Sequence, residues 1–377
     1  MNYSSGGYNI PPENNNFPPQ SYADRKMPHF VDPAIWLREK RTIKRLSTMS
    51  AVTILAYILL SAVVVGGIQG LFFILQNIPS VDYNTFSEKW NSVEFQYAFD
   101  ALYSVFVVGI PFFVTGRIAY KKGYLASIPT GKPKNAKMLP VIIFGSFGLC
   151  LFGNIIIAYL DTFINVMTGM EIEMPELPIP QKSVIGILIY YIGISVVPAL
   201  VEEFALRGVI MQMLRRYGDG FAIVTSALLF GLMHCNLQQI PFAFLAGVIL
   251  GYAVITTDSL WTGVIIHFLN NAYSATTSLI TSIYGFDSPH AKATTVVFYA
   301  IIAIGILCAV IFFRSPYKCR LKKSPLINQG KDFYGNTPLF SAKITSWKML
   351  RVYLFTAPMI IAYIAVAYQT IALILAM

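Results

Sequence analysis

Charged residues are scarce in this chain. Asp, Glu, Lys and Arg together account for 12% of its 377 residues, whereas hydrophobic residues account for 55%. A soluble globular domain carries about 25% charged residues, so the composition argues against an ordinary soluble domain. The deficit comes from repeated apolar runs of roughly 20 residues, the length that a helix needs to cross the hydrocarbon core of a bilayer. We therefore predict an all-α, polytopic transmembrane helix bundle that sits in a lipid bilayer.

Cysteine is also rare, and the signatures of several hydrolase classes are missing. The four cysteines show no paired spacing, so neither a disulfide framework nor a zinc ribbon is indicated. No HExxH sequence occurs, so the zincin arrangement of two histidines one helical turn apart is absent. The chain also has neither a GxGD-type aspartyl motif nor a Gly-x-Ser-x-Gly nucleophile elbow. Any hydrolytic chemistry must come from other side chains.

Nine apolar segments are predicted as transmembrane spans. Residues 1–35 precede them and are rich in Asn, Pro, Tyr and Ser without apolar periodicity, which predicts a disordered tail and not a signal peptide. The predicted spans are 48–76, 96–118, 138–163, 184–212, 220–237, 240–256, 259–282, 293–313 and 350–376.

Basic residues are concentrated in alternate loops. The net charge of +10 could suggest a nucleic-acid partner, but the basic residues lie in short loops beside apolar spans. This alternation follows the positive-inside rule. Nine spans with a cytoplasmic N-terminus place every basic loop on one side of the membrane, so we predict that orientation and no nucleic-acid partner. The basic loops are 38–45, 117–137, 207–219 and 314–350, and the acidic or sparse ones are 77–95, 161–182 and 283–292.

Very few ionisable side chains lie inside the predicted spans. Each costs roughly 2.5–3.5 kcal/mol on insertion scales, so such residues usually face a bundle interior or a wet cavity. At about 1.5 Å per residue, Glu202 lies roughly 20 Å from the end of its span and His234 about 21 Å. His267 and Asn271 lie about 12 and 18 Å deep. Three helices thus bring polar residues to a similar depth, as a shared site requires.

Helical phase separates the roles of the charged residues at 202–207. Glu203 and Arg207 are four residues apart on one helix face, so we predict a structural ion pair between them. Glu202 points about 100° away and has no partner at this spacing. An unpaired carboxylate in a membrane is a functional candidate. Pro198, just before the acidic pair, is expected to bend the helix and leave a carbonyl free.

Two further pairs have the same spacing of four. His267 and Asn271 would aim an imidazole and an amide at one point, and Phe230 lies one turn before His234. We interpret Phe230 as a packing residue. The sequence GVILG, residues 247–251, is a small-xxx-small motif that predicts helix packing without chemistry.

The residue types at this depth suggest hydrolysis by one of two routes. A carboxylate beside an imidazole in a partly dry cavity can hold a water and take its proton, while a histidine and an asparagine can donate to an oxyanion. Alternatively, Glu202, His234 and His267 could ligate zinc and leave one position for water. The residues alone leave the metal-free and the zinc-dependent routes open.

Three motifs in order carry a resemblance to a known family. EEFALR at 202–207, FGLMH at 230–234 and HFLNN at 267–271 fit E-E-x-x-x-R, F-x-x-x-H and H-x-x-x-N, each on a separate apolar segment. Together they resemble the CPBP family of intramembrane proteases, also called the CAAX protease and bacteriocin-processing or Abi family. The resemblance covers about residues 183–282.

The resemblance implies a catalytic role for each motif. It implies that Glu202 and His234 activate water and that His267 and Asn271 stabilise the oxyanion. The family is often described as metalloproteases, although a metal-free, glutamate-dependent mechanism has also been proposed. Some members cleave prenylated CAAX C-termini, and bacterial members are linked to bacteriocin maturation or self-immunity.

The sequence therefore predicts an intramembrane endopeptidase acting on a membrane-associated peptide or protein, in the plasma membrane of a bacterium. One alternative is a catalytically silent immunity or partner-binding protein that keeps the motifs for packing. A second is a proton-relay transporter, which would more often show inverted repeats. The predicted units are a disordered tail with its basic flank (1–45), N-terminal spans (46–182), a catalytic core (183–282) and C-terminal spans with a basic cytoplasmic loop (283–377).

Overall fold

A computed structural model describes residues 30–31, 33–169, 179–180, 183–323, 342–343 and 345–376 of the chain. Within them the fold is a helix bundle, and a two-residue antiparallel strand pair joins Phe30–Val31 (β1) to Ala342–Lys343 (β2). The helices are α1 (Pro33–Gln76), α2 (Tyr83–Trp90), α3 (Val93–Lys121), α4 (Leu139–Thr168), α5 (Val184–Tyr217), α6 (Asp219–Met233), α7 (Gln239–Thr257), α8 (Leu260–Tyr284), α9 (Pro289–Arg314), α10 (Ser346–Leu354) and α11 (Ala357–Ala376).

The predicted all-α bundle is confirmed, but the described helices that could span a membrane number six or seven and not nine. Each of the nine predicted segments overlaps at least one helix, but among the described helices only α1, α3, α4, α5, α7 and α9 are singly long and apolar enough to cross a membrane. The pair α10 and α11, bent by 67°, gives a seventh span if it is counted as one. Helix α6 has only 15 residues, about 22 Å of rise, and α8 carries many Ser, Thr and Asn residues that lower its hydropathy.

The first helix begins earlier than the sequence indicated. The basic stretch 38–45, predicted as a flank before the first span, is part of α1. One side of this helical segment is apolar and buried, as Trp36, Ile43 and Leu46 show. Its Glu39 carboxylate accepts a hydrogen bond of 2.9 Å from the Tyr217 hydroxyl at the end of α5. Of the predicted disordered tail 1–35, residues 1–29 lie outside the described residues, as do residues 324–341 of the predicted basic loop 314–350.

Glycines allow two pairs of helices to pack backbone to backbone. At the crossing of α4 and α9, a Cβ atom on Gly305 would lie 2.5 Å from the Gly148 Cα. At the crossing of α6 and α7, a Cβ atom on Gly247 would lie 2.9 Å from the Ala227 Cα. The latter contact confirms that the GVILG motif is a packing surface.

The loops that carry most of the basic residues meet at one end of the bundle, here called the basic end. The Lys134 N–H donates to the Thr257 carbonyl at 2.7 Å, and the Leu260 N–H donates to the Pro129 carbonyl at 2.7 Å. The Lys322 N–H donates to the Asp219 carboxylate at 2.8 Å. The opposite end, here called the acidic end, carries α2 and the turn between α8 and α9, with Asp82, Glu88, Glu94 and Asp287.

The glycine crossing of α4 and α9 is tested by adding a single methyl group. Gly305→Ala should lower the free energy of unfolding by about 1–3 kcal/mol, because the two backbones must separate. Gly67→Ala is the matched control, since nothing lies within 4 Å of its added Cβ, and it should be neutral or stabilising by up to about 1 kcal/mol. Thermal unfolding in detergent measures both. Equal stability of the two variants would show that the crossing is not close.

Candidate active site

The four residues predicted to be catalytic line one cavity inside the bundle. Its volume is about 280 Å³, and Glu202, His234, His267 and Asn271 all face it. They come from α5, from the turn after α6 and from α8. Helices α4 and α7 complete the wall. The four side chains therefore meet at one cavity, as their similar estimated depths in the membrane required. Their catalytic roles stay predictions.

Glu203 is the central carboxylate of the site. Its Oε1 accepts hydrogen bonds from the Arg207 Nη1 at 2.6 Å and from the His267 Nδ1 at 3.0 Å. Both Glu203 and Arg207 are completely buried. The predicted ion pair is confirmed, and the bond to His267 is an additional contact that the sequence did not indicate.

This hydrogen bond fixes which ring nitrogen of His267 is turned to the cavity. A carboxylate that accepts from a guanidinium is ionised and cannot donate, so the proton in the contact with Glu203 belongs to His267 Nδ1. The other ring nitrogen, Nε2, lies 3.8 Å from the Glu202 Oε2. The result is an ordered series of Arg207, Glu203, His267 and Glu202 that leads from the buried core to the cavity.

Helix α8 approaches Glu203 closely because it has a glycine at the contact. A Cβ atom on Gly263 would lie 2.6 Å from the Glu203 Oε2 and 2.8 Å from the Val254 Cγ2. Any larger side chain would push α8 away from α5 and lengthen the bond between Glu203 and His267. Gly263 therefore belongs to the site, although it carries no functional group.

His234 is held by the end of its own helix. The last carbonyls of a helix lack intrahelical donors, and the Phe230 carbonyl lies 2.9 Å from the His234 Nδ1. A carbonyl can only accept, so Nδ1 carries a proton, and in a neutral ring Nε2 is then the acceptor. The Tyr57 hydroxyl, from α1, donates to the next free carbonyl, that of Met233, at 3.2 Å. No hydrogen bond joins Glu202 to His234 among the described residues; both simply line the cavity.

Phe230 contacts three of the charged or titratable groups. Its ring centroid lies 5.0 Å from that of His234 and 5.8 Å from that of His267, in both cases edge to face. The Arg207 guanidinium carbon lies 4.4 Å from the same centroid, a cation–π distance. Phe230 is therefore a packing residue, as predicted, and it packs against the charged and titratable side chains of the site.

Asn271 binds the carbonyl that a proline leaves without its usual donor. Pro198 has no N–H to give to the carbonyl of Ile194, four residues earlier. The Asn271 Nδ2 donates to this carbonyl at 3.2 Å. One amide hydrogen is used in this way, and the second remains for the cavity. The neighbouring Asn270 donates to the Asn271 Oδ1 at 3.4 Å.

The candidate zinc ligands Glu202, His234 and His267 all line the cavity. Within the described part of the chain, no group of three or more His, Cys, Asp and Glu side chains is placed to hold a metal ion. Each histidine has its Nδ1 engaged, on Glu203 or on a carbonyl. The His267 Nε2 lies 3.8 Å from the Glu202 Oε2, and the Nδ1 bonds leave each Nε2 as the nitrogen that could bind an ion. Zinc binding by these three residues stays a prediction.

Two amides in the cavity wall were missed by the sequence analysis. Asn154, from α4, and Gln239, from the first turn of α7, both line the cavity. The signal for Asn154 was available, because it is a polar residue within an apolar span. The sequence around Gln239 gave no comparable signal, because it lies at the predicted start of a span.

Comparison with known proteins agrees with the three motifs. Residues 184–273 match the family model described as Type II CAAX prenyl endopeptidase Rce1-like. The match spans α5 to most of α8 and contains all seven motif residues. The resemblance to the CPBP family is thus confirmed, and with its apolar helices the chain is an integral membrane protein with a segment similar to a CAAX-type intramembrane protease family. Searches of curated proteins and of solved structures found no match.

A double-mutant cycle tests the energetics of the central ion pair. Arg207→Met leaves the Glu203 carboxylate buried without its cation and should cost about 3–5 kcal/mol of unfolding free energy. The double variant Glu203→Leu/Arg207→Met should lose clearly less than the sum of the single variants, because it leaves no unpaired charge. Thermal unfolding in detergent measures all three.

The control for this cycle is an ion pair of similar length at the surface. The Lys134 Nζ lies 2.7 Å from the Asp258 Oδ2, with side chains 71% and 37% exposed. Asp258→Asn should therefore cost at most about 1 kcal/mol. If Arg207→Met were no more harmful than Asp258→Asn, the buried pair would not carry the stability ascribed to it.

Proposed function

We propose that this chain is an intramembrane endopeptidase that hydrolyses a peptide bond with a carboxylate-activated water. The observation that carries the proposal is the arrangement of Glu202, His234, His267 and Asn271 around one cavity, with His267 oriented by buried Glu203. The match of residues 184–273 to a CAAX-type protease family supports the same reaction class.

The first step is the activation of water by Glu202. Its carboxylate lies at the cavity with a side chain that is only 22% exposed, so a water bound there has few competing partners. The Nε2 of His234, which is the acceptor in the neutral ring, accepts the water's other hydrogen and orients the molecule. Glu202 removes a proton as the water oxygen attacks the carbonyl carbon of the peptide bond.

The second step is the stabilisation of the oxyanion and the loss of the amine. The second amide hydrogen of Asn271 and the Nε2 of His267 face the position where the carbonyl oxygen becomes negative. For Nε2 to donate, His267 must be an imidazolium. Two carboxylates, Glu202 and Glu203, then balance two cations, His267 and Arg207. Collapse of the tetrahedral intermediate breaks the C–N bond, and the proton held by Glu202 passes to the leaving amine.

The proposed substrate is a membrane-associated peptide. The matched family model is described by its action on prenylated CAAX proteins, and the bacteriocin-processing branch of the resemblance suggests a second class, an unprenylated hydrophobic peptide. The proposed location is a bacterial plasma membrane with a cytoplasmic N-terminus, because the basic end then faces the cytoplasm.

The general-base role of Glu202 is tested by peptide cleavage in detergent. Glu202→Gln and His234→Ala should each lower the cleavage rate of farnesylated CAAX and unprenylated hydrophobic peptides by at least roughly 100-fold, since proton transfer of this kind contributes about 10²–10⁴-fold. Glu88→Gln makes the same chemical change on exposed α2 and should cleave at the wild-type rate. Persistence of cleavage in both site variants would refute the assignment. A wild-type protein that cleaves nothing would support the silent alternative.

Chelation tests the metal-free route. In the proposed mechanism Glu202 activates the water without a metal ion, so the cleavage rate should be unchanged after incubation with EDTA or phenanthroline. The control is a zinc-dependent protease in the same detergent, which should lose activity. Loss of cleavage that zinc restores would contradict the metal-free mechanism while leaving the peptidase assignment intact.

A further inference from the structure

A second cavity adjoins the catalytic one. It has a volume of about 380 Å³ and shares Asn154, Gln239 and Phe242 with the wall of the catalytic cavity. We call it the vestibule. Its remaining lining residues are Ile157, Ala158, Asp161, Thr162 and Gln238.

The vestibule extends from the catalytic cavity towards the acidic end. Helix α4 begins at Leu139, beside the basic loop 122–137, and ends at Thr168. Residues 154 to 161 therefore progress away from the basic end. Asn154 and Asp161 are seven residues apart, two turns of one helix face, so their Cα atoms are separated by about 10 Å along the axis.

The cavity described at the basic end is apolar, unlike the vestibule. The cavity found there, about 310 Å³ in volume, is lined mainly by apolar side chains of α4, α6, α7 and α9, and shares no residue with the catalytic cavity. A peptide backbone, whose polar groups need partners, would find amides and hydroxyls in the vestibule and very few in that apolar cavity.

Asp161 is the charged group that lines the vestibule, and it has no cationic partner among the described residues. It is half-buried, and no ion pair or hydrogen bond of its side chain is present among the described residues. The surrounding acidic end adds Asp82, Glu88, Glu94 and Asp287 against Lys89 and Lys292, so the described charges at this end still sum to a negative value that attracts cations. A cationic side chain entering the vestibule would give the carboxylate a partner that the described residues do not supply.

We propose that the vestibule admits the substrate peptide from the acidic end and that Asp161 binds a Lys or Arg side chain of that peptide. The proposal rests on the proposed function and adds a substrate class to it. An extended peptide advances about 3.3 Å per residue, so the span of about 10 Å from Asn154 to Asp161 places the cation roughly three residues from the cleaved bond.

The test is the sequence preference of cleavage. The purified full-length protein is incubated in detergent with a library of hydrophobic-anchored peptides randomised around a central segment, and the cut positions are read by mass spectrometry. Wild type should enrich Lys and Arg at one position two to four residues from the cut. Asp161→Asn should reduce that enrichment roughly fivefold, the size of one partly screened ion pair, and Asp161→Lys should favour Asp and Glu there instead.

Controls separate recognition from folding. Asp287→Asn removes a carboxylate at the same end but outside the vestibule, and it should keep the wild-type preference. The thermal unfolding midpoint of Asp161→Asn in detergent should match that of wild type, which shows that the variant is folded. Unchanged enrichment in Asp161→Asn, or no basic preference in wild type, overturns the proposal.

A binding measurement distinguishes this proposal from the proposed function. If wild type cleaves no peptide, the proposed function fails, and fluorescent peptides that differ by one Lys or Glu are titrated instead. A preference for the Lys peptide of roughly fivefold that is lost in Asp161→Asn would leave the vestibule proposal standing on its own. Equal binding of the two peptides to wild type would overturn it as well.

Discussion

The hydrogen bond between Glu203 and His267 is the contact on which the rest of the site depends. A carboxylate taken completely out of water is costly unless a cation and further donors compensate for the lost hydration. Here one oxygen accepts from both the Arg207 guanidinium and the His267 ring. That oxygen couples α5 to α8, fixes the tautomer of His267 and turns its Nε2 towards Glu202. Gly263 permits the approach, and Phe230 shields it on the side of His234.

The same contact explains why the two adjacent glutamates differ. Glu203 lies on the face that meets Arg207 and α8 and is wholly buried, whereas Glu202 reaches the cavity and keeps partial exposure. One carboxylate therefore positions the imidazole, and the other is left for a water. In the proposed mechanism, Glu202 is free to act as general base because Glu203 is already bonded to Arg207 and His267. The vestibule then gives the cavity a polar entrance from the acidic end, separate from the apolar cavity near the basic loops.

Part of this site could be predicted from the sequence, because spacing and depth are local properties. The ion pair at i and i+4, the common depth of three polar positions and the carbonyl freed by Pro198 all follow from regular helix geometry. The bond from Glu203 to His267 does not, because α5 contains π-helical turns at Ile192–Val196 and Phe204–Ile210. Such turns change the angular position of every residue beyond them. The regular 100° per residue of an α-helix therefore does not predict whether Glu202 or Glu203 meets α8. The count of nine spans exceeded the six or seven supported by length and apolarity because α6 is short and α8 is polar where it lines the site.

The most direct test of this account is the protonation state of His267 at neutral pH. The chain contains four histidines, so ¹⁵N nuclear magnetic resonance of the histidine-labelled protein in detergent, with His267→Gln for assignment, resolves its two ring nitrogens. The account predicts that the Nδ1 of His267 carries a proton, because the ionised Glu203 carboxylate can only accept. A His267 ring protonated on Nε2 alone, with a bare Nδ1, would contradict it.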